Sequence, residues 1–235
     1  MTAKPLHLGL IGGIGAAATV VYYQRLCAEM ALRGLPLELT IVQADIQTLI
    51  RNNVADRRAE QARVYAPLLH RLRAAGCDCA AITSLGGHFC FDETVALSPL
   101  PLVSAVRPLD AFFAAEGISC VGLLGTRVVM RTKLYGQLRQ TRALALEDDI
   151  ETLGQTYQDM AVSGTCTPAQ RALFLDAGQR LTELGAQAVV LAGTDLNLAF
   201  DGQSPGYRVI DALDVHVALL ADLASGRADL DAVAG

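Results

Sequence analysis

The chain has 235 residues, 52% of them hydrophobic and 18% charged, and 19 Lys plus Arg against 24 Asp plus Glu leave a net charge of -5. So apolar a composition excludes a disordered chain or a polar tail, and at this length folding buries roughly 70–75% of the surface that the open chain exposes. The acidic balance supplies neither the basic field that holds nucleic acid nor a polybasic membrane patch, so neither is expected as a partner.

The first apolar run, Leu6-His7-Leu8-Gly9-Leu10-Ile11, predicts a strand that feeds the loop Gly12-Gly13-Ile14-Gly15-Ala16-Ala17-Ala18. The uncharged stretch from Leu8 to Gln24 is too short and too broken by glycine for the ~20 residues of a bilayer helix. It imitates a secretory signal, since Lys4 precedes an apolar run ending in three alanines, but Pro5, His7 and the glycine spacing argue against one. Gly13-Ile14-Gly15 followed by Ala18 satisfies the dinucleotide pattern after a strand, and Asp45 stands where a ribose-binding acid would be. An NAD(P) site is therefore one reading of the loop; backbone N–H groups at a helix start favour any small anion equally.

Leu37 to Val42 predicts the second strand. Arg57 to Ala75 predicts a helix with Ala62, Tyr65, Leu68, Leu69 and Leu72 on one face. Strands follow at Cys79–Ile82, Ser119–Leu124 and Ala188–Leu191, and Thr167-Pro168 reads as an N-cap with proline at the first helical position, opening a helix to about Leu184. This alternation indicates α/β architecture with mainly parallel sheet. The six cysteines are too scattered for a disulfide scaffold, so reduced thiols and a cytoplasmic location are expected. Cys77, Cys79, His88 and Cys90 fit no tight zinc spacing and read as structural residues, so no metal is expected.

An internal repeat organises the whole chain. Leu8-Gly9-Leu10-Ile11-Gly12 with Thr19 and Tyr22 lies without a gap over Val121-Gly122-Leu123-Leu124-Gly125 with Thr132 and Tyr135. Gly76 to Leu85 lies in the same way over Gly185 to Thr194. Two α/β lobes built alike are expected, residues 1–105 plus 206–235 forming one and 106–205 the other, with a ligand cleft between them. Ligands of open α/β sheets sit beyond the carboxyl ends of strands, which directs attention to Gly12–Thr19, Thr83–His88, Gly125–Met130 and Gly193–Asn197.

The residues in these loops resemble the aspartate/glutamate racemase family that works without pyridoxal phosphate. The resemblance is carried by Leu8 to Gly15 with Thr19 and Tyr22-Tyr23, by Asn52-Asn53 and Asp56-Arg57, and by Gly122 to Thr126 with Met130 and Tyr135. Gly185-Ala186 leading through Val189-Val190-Leu191 to Thr194-Asp195-Leu196, and Val209-Ile210-Asp211 with His216, extend it over almost the whole chain. It implies two pseudo-symmetric lobes, no organic cofactor, a small carboxylate or amino-acid ligand, a homodimer, and one catalytic cysteine from each lobe. In this chain the two cysteine positions are Ser84 and Gly193, the pair that the repeat superposes.

A thiol is readily poised as a general base, whereas a serine hydroxyl needs an adjacent base and glycine offers nothing. Two-thiol racemisation is thus disfavoured. The expected catalytic positions are Ser84, His88, Thr194 and Asp195, with His88 or Asp195 as acid/base; the expected ligand contacts are Gly12, Gly13, Thr83, Thr126, Gly193 and His216. Arg51, Arg57 and Arg127 are candidate carboxylate clamps. Three readings follow: a divergent isomerase or lyase, a ligand-binding or regulatory pseudoenzyme, and the less favoured nucleotide binder.

Overall fold

The computed structural model describes residues 4–13 and 16–234. Ile14 and Gly15, the centre of the glycine-rich loop, lie outside the described residues. The first half runs β1 (Leu8–Gly12), α1 (Ala16–Leu32), β2 (Leu39–Gln43), α2 (Ile46–Val54), α3 (Arg58–Ala74), β3 (Cys79–Ile82), α4 (Phe91–Leu97), β4 (Leu102–Val103) and α5 (Arg107–Ala115). The second runs β5 (Cys120–Gly125), α6 (Arg127–Arg131), β6 (Arg142–Leu144), α7 (Ile150–Ser163), α8 (Pro168–Glu183), β7 (Ala188–Ala192), α9 (Asn197–Phe200), β8 (Val209–Asp211) and α10 (Ala212–Ala224).

Two four-stranded parallel sheets result, in the orders β2-β1-β3-β4 and β6-β5-β7-β8. The repeat read from sequence is this shared order: β1 and β5, then β3 and β7, are the central pairs. Central strands are covered on both faces and read as continuous apolar runs, which is why they were legible. β1 begins at Leu8 rather than Leu6 because the His7 N–H donates to the Asp78 carboxylate, 2.8 Å away, and leaves the ladder. At α8 the Thr167 hydroxyl accepts from Gln170 N and the Gln170 side chain accepts from Thr167 N, a complete capping box.

The closing segment divides differently from the expected first lobe of 1–105 plus 206–235. β8 pairs with β7, so residues 209–211 stand in the second sheet. Helix α10, immediately after, packs Leu213, Val217 and Leu220 against Leu8, Leu10 and Tyr22 of the first lobe. Its counterpart α5, which follows β4, sends Leu109 and Phe113 into the second core with Val121, Leu123 and Val190. Each half therefore lends the helix that follows its last strand to the other's core.

Among the described residues no helix is long and apolar enough to cross a membrane.

Candidate functional site

The carboxyl ends of β3 and β7 carry the two expected seats, and their backbones match. Ser84 has φ -134°, ψ 121° and opens the 3₁₀ turn Leu85–Cys90; Gly193 has φ -145°, ψ 116° and opens the 3₁₀ turn Thr194–Leu196. Ser84 lies against Gly13, where a Cβ would collide with the Ser84 Cβ, so the glycine permits close approach of the two loops. Ser84 is 1% exposed and its hydroxyl has no hydrogen-bond partner among the described residues. The loop is fixed from two directions: Asn53 Nδ2 donates to Gly86 O at 2.8 Å, and Tyr135 Oη, from the second lobe, donates to Leu85 O at 2.8 Å.

Gly193 is glycine for a different reason. Its φ is extended backbone open to any residue. What excludes a side chain is Tyr157 of α7: a Cβ at 193 would overlap the ring, with Cζ 2.9 Å away. The Tyr157 hydroxyl donates to Asp195 Oδ2 at 3.0 Å, and Asp195 Oδ1 accepts from the N–H of Ala18, in the first turn of α1, at 3.1 Å. The Asp195 carboxylate thus satisfies an orphan donor of a helix in the other lobe, with favourable charge at that helix's N-terminus. Ser84 thus meets the chain just after β1, at Gly13, and Asp195 meets the start of α1, at Ala18.

Electrostatics follow from burial. Burial raises the Asp195 carboxyl above the usual range, against the lowering effect of its bonds to Tyr157 and Ala18. Burial and the Asp195 charge push the Tyr157 phenol well above its ordinary value. Neither Thr83 nor Thr126 has an unengaged hydroxyl: Thr83 donates to Ile11 O and pairs with Thr19, and Thr126 caps α6 by accepting from Val129 N. Thr194 is buried, and its hydroxyl is unpartnered among the described residues. Gly12 ends β1, where a Cβ would run into the Gln43 side chain.

Several expected residues are placed otherwise. Ala105 N–H donates to His88 Nε2 at 3.0 Å, which leaves the ring proton on Nδ1 to be donated to Ser84 O at 2.8 Å. Both nitrogens are committed to backbone, and burial lowers the imidazole to about pKa 4, so His88 is a buttress of the Ser84 loop and not its acid/base. His216 lies on α10, fully buried, bonded through Nδ1 to Tyr22 Oη of α1 at 2.8 Å and edge-on to that ring. Arg51 and Arg57 are exposed, Arg51 being bonded to Thr48, so neither reaches the buried seats as a clamp. Arg127 does face the cleft, with its guanidinium held by Glu151, Gln155 and Gln158 of α7. The Asp45 carboxylate caps α2 by accepting from Thr48 N at 2.7 Å, which commits it elsewhere than to a ribose.

A crevice of about 70 Å³ opens between the lobes, walled by Asn53 and Val54 of α2, Thr126 and Arg127, and Tyr157 and Gln158 of α7. Tyr157 forms part of this wall and of the Gly193 seat, so it separates the two. Tyr157 is the residue that sequence reasoning missed. It lies between Leu153 and Met160 on the buried face of α7, where an aromatic reads as ordinary core. The only trace of it in the sequence is the glycine it imposes at 193.

The model of the Asp/Glu/Hydantoin racemase family matches residues 11–220. The chain belongs to this family. Solved structures of similar fold include a Yersinia pestis protein assigned as an Asp/Glu racemase (TM-score 0.78, 22% identity, 92% of this chain and 98% of that one). The aspartate racemase of Picrophilus torridus superposes with TM-score 0.76 at 18% identity over 92% and 93% of the two chains. The glutamate racemase of Francisella tularensis, in complex with D-glutamate, gives 0.65 at 11% identity over 93% and 81%. At these identities the likeness to the solved structures establishes the fold. In this Asp/Glu/Hydantoin racemase family member the two equivalent strand ends carry a serine and a tyrosine-covered glycine.

Proposed function

We propose that the chain binds a small carboxylate, in the first instance an amino acid, between its lobes and is a divergent isomerase or lyase that does not use two-thiol racemisation. The observation that carries this reading is the pair of equivalent seats: the Ser84 hydroxyl has no hydrogen-bonded base among the described residues, and the Gly193 seat is filled by the Tyr157 ring. The thiols of β3 and of the turn that follows Ser84 do not compensate. Cys79 lies within β3, and Cys90 is bonded to Thr94 and Gly87 O, burial pushing both up to about pKa 12, so neither supplies thiolate. Family membership and the D-glutamate held by the Francisella tularensis relative support an amino-acid-like ligand.

A second reading, a ligand-binding pseudoenzyme, is favoured by the engagement of His88 with backbone on both sides of its ring. Calorimetry with D- and L-aspartate, D- and L-glutamate and related acids, combined with chiral chromatography of each mixture after incubation, tests the proposal. Saturable binding without interconversion of enantiomers is the expected result. Ordinary racemisation of either amino acid, or no binding of any acid, would overturn it.

A further inference from the structure

The Gly193 seat contains chemistry that sequence reasoning did not assign. Since its backbone is unstrained, a larger residue is excluded there by packing alone: the Cε2–Cζ edge of the Tyr157 phenol occupies the volume a side chain at 193 would use, and the Gly125 Cα closes the space beside it. The hydroxyl end of that ring is coupled at 3.0 Å to a carboxylate that is itself fixed to the N-terminal turn of α1. Tyr157 is 2% exposed and forms one wall of the inter-lobe crevice, while the Ser84 hydroxyl has no hydrogen-bonded base among the described residues.

We propose that Tyr157 and Asp195 form a proton-relay pair that exchanges the α-proton of a small amino-acid carboxylate from the second-lobe face alone. This deepens the proposed function and rests on ligand binding in that cleft. In the forward step the Cα–H bond breaks and its proton passes to Tyr157 Oη while the hydroxyl proton moves to Asp195 Oδ2. The electron pair remains on the ligand as the enolate of its carboxylate. Reversal returns a proton to the same face, so configuration is retained, because the pair meets Cα from that face alone. Tyr157 is the catalytic residue here, and Asp195 holds and receives its proton. Buried as the pair is, the carboxylate rather than the acid must be present for deprotonation, so the rate rises with pH through the elevated Asp195 transition.

The test is Cα–H exchange in deuterated water, followed by proton NMR on whichever of L- and D-aspartate and L- and D-glutamate bind, with chirality and binding measured in parallel. The wild-type protein is expected to incorporate deuterium with retention of configuration. Tyr157→Phe keeps the ring and Asp195→Asn keeps an acceptor for Ala18 N–H, so both preserve packing. Each is expected to lose about 100-fold or more of the exchange rate with affinity changed by less than about threefold, a loss in the range of one general acid/base group. Asp195→Asn should also flatten the pH profile of the residual rate. Exchange that survives in Tyr157→Phe would overturn the relay. Absence of exchange in the wild type with binding intact would overturn it too, while leaving the binding reading standing. Failure of all four amino acids to bind would overturn both.

Discussion

His88 sits between two backbone groups, one ring nitrogen accepting from Ala105 N and the other donating to Ser84 O, and this pairing is satisfied only by the neutral ring. Burial lowers its pKa from the ordinary 6.5 to about 4, and burial together with the nearby His88 lowers His216 to about 3. In the unfolded chain both imidazoles take up protons near pH 6.5, so between there and pH 4 the unfolded state binds more protons than the native one. The stabilisation is fully present above pH 6.5 and declines as pH falls toward these lowered values, by on the order of 3 kcal/mol for His88 alone once it is fully protonated. Urea midpoints measured from pH 7.5 to 4 should fall accordingly. His88→Gln, whose amide can also donate to Ser84 O and accept from Ala105 N, should cost about 1–2 kcal/mol at pH 7.5 and give a shallower decline. An equal pH slope in wild type and variant would contradict the assignment. Sequence placed His88 in the correct loop, but the choice between buttress and acid/base depends on which atoms meet its two nitrogens. One of these is the amide of Ala105, seventeen residues on.

At the end of β7, helix α7 sets the Tyr157 ring against the missing side chain of Gly193. A methyl there has no room, since the Gly125 Cα, 3.0 Å from the would-be Cβ, blocks the remaining side. Gly193→Ala should therefore destabilise by about 1–3 kcal/mol, the usual effect of overpacking a tight core. Tyr157→Ala should cost about 3–5 kcal/mol through its cavity. The double variant should be less destabilised than the sum by 1 kcal/mol or more in chemical denaturation, because the new methyl enters space the ring has left. Additivity would show that the two do not share that volume. The central strands, α3 and α8 are legible in sequence because apolar runs, one-sided periodicity and the Thr167 cap are local signals. Helices α2 and α7 also carry their buried residues on one side, Leu49, Asn52 and Asn53 in the first and Leu153, Tyr157 and Met160 in the second, but that spacing does not say which partner each side meets. Their positions follow from what they pack against.

At the level of the molecule the lobes are stitched together reciprocally, α5 serving the second core and α10 the first. Polar ties add to this exchange. Arg25 of α1 reaches Asp211 at the end of β8 and Asp214 of α10, and Asp195 reaches α1 from β7. The tie at the Ser84 loop is Tyr135, delivered by three successive left-handed residues, Lys133, Leu134 and Tyr135, with φ of 50°, 58° and 60°. Each such residue costs roughly 1–2 kcal/mol relative to ordinary backbone, so the turn persists because its side chains are anchored. Leu134 is fully buried in the second core and Tyr135 donates across the cleft to Leu85 O. Tyr135→Phe should cost about 1 kcal/mol and speed amide hydrogen exchange within Leu85–Cys90 more than in the strands of either sheet. Uniform acceleration throughout would argue against a local tie.

The sequence by itself determined the two-lobed α/β plan, because a doubled order of strands leaves a doubled pattern of apolar runs and glycine-ended loops. It also determined which positions, Ser84 and Gly193, lie at the equivalent strand ends. The tertiary structure decided what those positions contain. A helix from residues 150–163 places a phenol in the Gly193 seat, the backbone claims both nitrogens of His88, and the final segment gives its strand to one lobe and its helix to the other. Each of these depends on contact between residues far apart in the chain, and local spacing carries no record of such contacts.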